Sequence, residues 1–497
     1  MRYFIKSFEP GAISISDILF DLQSRDDIPQ VLRGLQYIYT LLTTCQAVFE
    51  ILETMIPPDI DKNNGRPGMA FWTILVMGVL RLNLNWDYDR LLEMVNHHQT
   101  IRQMLGHANF EYVYKSQTIK DNVSLLTPEI LEQINEVVVK AGHQLFKKKE
   151  DVLNGRCDSF VVETDVHYPT DTNLLFDAIR TIILLIVTLG KKLNLEDFPC
   201  QIAQIQEIKN SLHRLQRLKH STSKDEEKKK NQEQLIINAH QSYITLVTST
   251  IEPINQTLKM LIEQNENIQT ELKSELSEIQ RFIKHAERQI DQIDRRVIKG
   301  EQIPHNEKVF SLFEEHTEWV SKGKAGVPVE LGLKVCILSD QIGFILHHQV
   351  MQKQTDDKVT VAMVEETQKR FPRLRSCSFD KGFHSPSNQK ELKQLLGFVC
   401  LPKKGKLSKK DQEIESSEEF RQNRRKHSAV ESAINALEVH GLDICPDHGI
   451  DGFKRYVALA IVARNIQHLG AHLQNQERER QKQLLREAAN QQLLEAA

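Results

Sequence analysis

Three carboxylates in this chain stand where acids are costly or oddly placed. Asp165 closes the apolar run FVVETD, Asp380 follows RSCSF and precedes a Lys-Gly turn, and Glu431 lies on a helical stretch directly after RRKH. Two aspartates at strand ends and a glutamate reaching from a helix could share a pair of divalent cations. Small hard cations prefer carboxylate oxygens and need only one or two protein carboxylates each, beside water and substrate phosphate. Two such ions about 4 Å apart can activate a nucleophile and stabilise the leaving oxygen of a phosphodiester. Each acid also has a plainer reading. Asp165 could be a salt-bridged or turn-initiating aspartate, with Glu163 on the same strand face as its competitor; Asp380 could cap a turn, and Glu431 could be a solvated helix residue. An unpaired carboxylate in an apolar strand is costly, which favours a ligand at Asp165.

The elements that must position these acids follow from periodicity. Residues 1–150 read as an all-helical domain: Leu35, Ile38, Leu42, Cys45, Phe49 and Leu52 recur at helical spacing, the turn-rich PPDIDKNNGRPG breaks the pattern, and Pro128 opens a further helix. Residues 159–166 are rich in β-branched side chains and read as a strand, followed by a buried helix over 174–189. From 196 to 300 the chain is Gln/Glu/Lys-rich with sparse apolar positions, which predicts an antiparallel helical hairpin or coiled coil whose tip is STSKDEEKKKNQ. Strand character returns at 309–312, 334–338, 343–347, 375–379 and 397–401, with helices at 387–396, 428–438 and 455–469 and a charged tail after 473. The expectation is a multidomain α/β chain: a helical domain at 1–150, a mixed-sheet domain from 151–195 and 301–472, and the 196–300 insertion between its two parts.

Bulk properties are permissive. A chain of 497 residues is too long for one ordinary core. A net charge of −3 means that any nucleic-acid affinity must come from local basic patches. Seven cysteines without a CxxC pair argue against zinc ribbons and disulfide frameworks and fit a reducing cytosol. The most apolar runs are shorter than the ~20 residues that span a bilayer. A soluble, cytoplasmic protein is the expectation.

Several blocks together resemble the DDE transposases of bacterial insertion sequences, close to the ISNCY group. GRPGMAFWTILVMGVLRLNLNWDYDRLLEMVNHHQTIRQMLG resembles their N-terminal helical domain, and VVETDVHYPTDTNLLFDAIR their first-aspartate block. FSLFEEHTEWVSKGKAGVPVELGLKV and SFDKGFHSPSNQKEL resemble the second strand region and second-aspartate block, and RRKHSAVESAINALEVHGLD with ALAIVARNIQHLG the glutamate block and closing helix. The resemblance implies an RNase H-like catalytic domain in which Asp165, Asp380 and Glu431 are both catalytic residues and ligands of two Mg²⁺ or Mn²⁺ ions. It also implies cleavage at element ends, strand transfer to target DNA, terminal inverted repeats as partner, and a homodimer on paired ends. The chain departs from the pattern where relatives carry Arg four residues before the glutamate and Lys seven after; here stand His427 and Glu438. Arg424, Arg425 and Lys426 are the candidates to replace that phosphate clamp, with His427 beside them.

Other basic positions are weighed against the same chemistry. Lys403, Lys404 and Lys406 in KKGKLSKK follow a strand and would contact a DNA backbone, or form a solvated loop; Lys322 and Lys324 are weaker candidates of that kind. Arg66, Arg81 and Arg102 could contact bases from the helical domain, although plain packing explains the same apolar spacing. His167 and His316 read as structural histidines before metal or phosphate ligands. Two rival functions remain: a non-catalytic DNA-binding protein derived from a transposase, and a coiled-coil scaffold.

Overall fold

The computed structural model describes residues 9–56, 68–146, 152–193, 202–220, 222–264, 272–321 and 329–496. Arg66, Lys322 and Lys324 lie outside the described residues. Two compact units emerge, one of residues 1–165 and 320–497 and the other of residues 166–319.

Among the described residues of the first unit, seven α-helices precede the sheet: α1 (Ile28–Thr40), α2 (Leu42–Glu53), α3 (Phe71–Asn83), α4 (Tyr88–His97), α5 (Gln99–Met104), α6 (Ser116–Val123) and α7 (Pro128–Leu145). Every residue of α3 is buried, as its all-round apolar sequence demands. Pro at the first position and a Thr127 hydroxyl accepting from the Ile130 N–H start α7. These helices share one continuous core with the sheet, so residues 1–150 do not form a separate compact unit.

The sheet starts with β1 (Leu153–Thr164), six residues earlier than its β-branched stretch suggests. Gly155 lies inside the strand, although an Asn-Gly pair is a common turn dipeptide. A Cβ there would come within 3.1 Å of Cys377 Sγ, Leu338 and Leu374, so close packing, not a turn, selects glycine. The rest of the unit is β2 (Glu318–Ser321), β3 (Val329–Ser339) and β4 (Ile345–Met351), followed by a helix, α12 (Asp356–Arg370, numbered after the second unit's helices). Then come β5 (Leu374–Phe379), α13 (Pro386–Leu395), β6 (Phe398–Cys400), α14 (Lys409–Ser416), α15 (Glu418–His427), α16 (Ala429–Leu437), β7 (Ile444–Cys445) and α17 (Gly449–Ala496). The seven-stranded mixed sheet runs β2-β3-β1-β5-β6, with β4 also on β3 and β7 on the end of β1. Strand β1 is antiparallel to β3 and parallel to β5; β3 is antiparallel to β4, and β5 parallel to β6.

Helix α17 extends the closing helix expected at 455–469 through the charged tail. Its start is anchored in the core, and Arg478 Nε donates to the Leu22 carbonyl. It crosses α1 where both backbones come together at Gly34 and Gly470. A methyl on either glycine would overlap a backbone carbonyl of the other helix, Ile466 or Gln30 respectively.

The second unit holds α8 (Asp171–Lys192), α9 (Ala203–Arg217), α10 (Glu226–Gln264) and α11 (Lys273–Ile293). The inserted helices are therefore more than a two-arm hairpin. Leu174, Ile179, Ile182 and Ile186 of α8 share a core with Ile208 and Leu212, Tyr243 and Ile254, and Ile279 and Phe282. Helix α8 is long and apolar enough by composition to cross a membrane, but half of its apolar window is buried in the structure. The strand expected at 309–312 is absent, because that stretch is irregular and buries Leu312 in the same core.

Gly470→Ala forces two packed backbones apart and should destabilise the protein by roughly 2–4 kcal/mol, read as a lower urea midpoint. An unchanged midpoint would contradict the close α1–α17 crossing.

Candidate active site

Pleating puts Asn154, Arg156 and Asp158 on one face of β1, and Ser376, Ser378 and the following Asp380 on the matching face of β5. The parallel register pairs Asn154 with Ser376, Arg156 with Ser378 and Cys157 with Phe379. One further step sets Asp158 beside Asp380. Hydrogen bonds tie this face together: Ser376 Oγ donates to Asn154 Oδ1 at 2.6 Å, and Ser378 Oγ is bonded to His427 Nδ1 at 3.0 Å.

Helix α16 brings the third acid. Val430, Ile434 and Leu437 bury one side of it, and it packs against β1, leaving Glu431 exposed in its first turn. A fourth acid, Asp356, opens α12. Its Oδ1 accepts from the Ser159 hydroxyl at 2.6 Å, and its Oδ2 pairs with Lys334 Nζ at 3.0 Å.

These acids share one field. Burial, together with the charges of Asp380, Asp356 and Glu431, pushes the Asp158 carboxyl up to about 6, although the Ser159 N–H donating at 2.8 Å opposes the shift. Burial pushes the His427 imidazole down from its ordinary value, with Asp380 and Glu431 opposing and Arg156 assisting.

The structure brings Asp380 and Glu431 together but not Asp165. Asp165 sits one residue past the end of β1, exposed, with its N–H on the Cys445 carbonyl at 3.4 Å. Seven residues of strand separate it from Asp158, roughly 20 Å, and an odd offset turns a side chain to the other face. The aspartate on the strand beside Asp380 is Asp158. Sequence spacing hides it, because the β-branched residues that mark the strand begin only at residue 159, one position past Asp158. The signal that could reveal it is the alternation of Leu153, Gly155 and Cys157 with Asn154, Arg156 and Asp158.

The basic residues divide as well. Lys404 and Lys406 are exposed in the loop after β6, and Arg424, Arg425 and Lys426 are exposed in the last turn of α15. Lys403 is instead tied to Asp411 Oδ2 at 2.6 Å, with its N–H on Glu415, so it fastens the loop to α14. His427 is half-buried behind the acids, not on the surface. Arg81 is 5% exposed and paired with Asp447 at 2.7 Å; Arg102 is 2% exposed and donates to the Asn109 and Tyr112 carbonyls. Arg81 ties α3 to the loop before α17 and Arg102 ties α5 to the loop that follows it, so both guanidiniums are held inside the protein. His167 bonds Asp177 at 2.6 Å and His316 lies 3.7 Å from Glu314, as structural histidines would.

Residues 290–466, less than half of the chain, match the family model described as a transposase DDE domain. The chain carries a transposase DDE domain. No curated protein and no solved structure matches the chain. The matched stretch of the DDE domain contains Asp356, Asp380 and Glu431, whereas β1 with Asp158 lies ahead of it. The match supports a transposase function in general terms, with DNA as the partner that the family implies.

The family typically uses divalent metal. The donor set suits a hard cation: carboxylates only, with one of them held up in pKa by burial and then by its neighbours' charge. Among the described residues no three His, Cys, Asp or Glu side chains converge closely enough to hold one ion as they stand. Mg²⁺ needs few protein ligands and keeps several waters, so the donor chemistry fits without such convergence.

A carboxyl whose folded pKa lies above its unfolded value favours the folded state below the unfolded pKa, near 3.8, and loses that contribution as pH rises through about 6. Asp158→Asn should therefore raise stability at pH 7.5 by about 1–2 kcal/mol in metal-free buffer and leave it nearly unchanged at pH 4. Urea unfolding at the two pH values checks this; equal effects at both would remove the electrostatic account.

Proposed function

We propose that this protein is a DNA transposase whose catalytic carboxylates are Asp158, Asp380 and Glu431. One observation carries the reading: neighbouring parallel strands and a late helix bring two aspartates and a glutamate into a common field. Two aspartates from neighbouring strands and a carboxylate from a helix late in the chain also support an RNase H-like catalytic domain. Asp158 and Asp380 would hold a pair of Mg²⁺ or Mn²⁺ ions, with Glu431 completing the set. The metal, when bound, would polarise the scissile phosphate and lower the pKa of the attacking hydroxyl. The chain's own part is to fix the carboxylate spacing and to present cations along the DNA path. Cleavage would free a 3′-hydroxyl at the element end, and that hydroxyl would then attack target DNA. A dimer on paired ends suits a reaction that handles two ends together.

Lys404, Lys406, Arg424, Arg425 and Lys426 would contact phosphates. Basic residues in the last turn of α15 are also stabilised by the helix dipole. Replacing Arg424, Arg425 and Lys426 by alanine should weaken DNA binding across sequences. The slope of log affinity against log salt should become shallower by roughly 0.9 for each phosphate that is no longer neutralised. An unchanged slope would remove this face from the DNA path.

The deciding experiment is Mn²⁺-dependent nicking of DNA that carries the sequences flanking the coding region. Asp158→Asn, Asp380→Asn and Glu431→Gln should each lose on the order of 10²–10³-fold in rate, while Asp165→Asn retains wild-type nicking. Loss in Asp165→Asn with retention in Asp158→Asn would overturn the assignment. DNA binding by a wild type that nicks nothing would favour the non-catalytic binding protein.

A further inference from the structure

His427 and Ser378 have no part in the metal chemistry above, yet they join its two halves. Strand β5 places Ser378 two residues before Asp380 on the same face, and His427 stands four residues before Glu431. Helix α15 is weakly held: Phe420, near its start, is its only buried residue, fixed where the Cys400 thiol meets the Phe420 carbonyl at 3.6 Å. At its far end α15 stops at His427, Ser428 turns the chain with its hydroxyl donating to the Arg425 carbonyl at 2.9 Å but leaves the start of α16 without a side-chain cap, and α16 begins at Ala429. The Ser378–His427 bond at 3.0 Å fastens this junction to the strand that carries Asp380. Three exposed cations, Arg424, Arg425 and Lys426, precede it directly.

We propose that the Ser378–His427 hydrogen bond is a latch that sets Glu431 against Asp380, making His427 a positioning residue where the resemblance expects an arginine on the terminal phosphate. The proposal rests on the catalytic assignment for its effect on rate, but not for its effect on local order. A half-buried imidazole bonded to a strand hydroxyl cannot reach outward to a phosphate without giving up that bond. Phosphate contact then falls to the neighbouring surface cations, and the orientation of the glutamate falls to the imidazole. Load on the cations from bound DNA would pull on the same short junction, and the latch would resist it.

Two variants remove the bond from either side: Ser378→Ala and His427→Phe. A third, His427→Asn, keeps a polar atom near the Nδ1 position. Hydrogen exchange across residues 424–432 should accelerate about tenfold in the first two variants, with β1 and β5 unaffected. Nicking kcat should fall about 10-fold and half-saturating Mn²⁺ rise by a similar factor, as for groups that orient metal ligands. KM for DNA should hold. The Ser378→Ala/His427→Phe double variant should be no worse than either single one, and His427→Asn should recover most of the loss. Unchanged exchange in both single variants would overturn the latch whatever the activity. So would a raised KM for DNA in His427→Phe with a silent Ser378→Ala, the signature of a phosphate contact. A wild type with normal exchange but no Mn²⁺-dependent nicking would instead count against the catalytic assignment, and the exchange comparison would still decide the latch.

Discussion

The parallel pairing of β1 with β5 is the constraint on which the rest of the structure turns. It sets two aspartates side by side on one face, although two like charges in a half-buried place repel. The local hydrogen bond on Asp158 from the Ser159 N–H offsets that repulsion only in part. The arrangement persists because the strands beneath are pinned by apolar packing on the opposite face, where Cys157 and Cys336 meet at 3.4 Å and Gly155 leaves room for Cys377. The raised carboxyl of Asp158 reflects its burial first and that repulsion second.

The same strand explains how a large insertion is tolerated. Glu163 at the end of β1 faces Gly332 near the start of β3, so the chain leaves β1 and enters β3 at one end of one antiparallel pair. In the simplest case a two-residue turn makes that connection. Here the connection contains residues 166–319, which bury their own apolar stripes in a core of their own. Loop-closure entropy grows only slowly with length, so an insertion that folds on itself costs the sheet little.

Positive charge shows how little residue type says about role. Arg81, Arg102 and Lys403 look like DNA contacts on a sequence line. In the structure they satisfy Asp447, backbone carbonyls and Asp411. Arg424, Arg425 and Lys426, next to one another and outside the core, keep their charges in solvent. A buried guanidinium must find partners within the protein, and each of the first two found them in elements distant or irregular enough to escape any local pattern.

Much was legible without the fold. Helical spacing located the N-terminal helices and the inserted ones, β-branched runs located β3, β4, β5 and β6 to within a few residues, and the SFDKGF and RRKHSAVES blocks pointed to Asp380 and Glu431. These features are local, because periodicity and turn chemistry act over a few residues. What tertiary structure alone decided was register. Whether Asp158 or Asp165 stands beside Asp380 depends on which residues of β1 pair with β5, strands separated by more than two hundred positions. A strand offers its acids to both faces and at every step along its length. Only the partner strand, through the hydrogen bonds it makes, selects the one that joins the site.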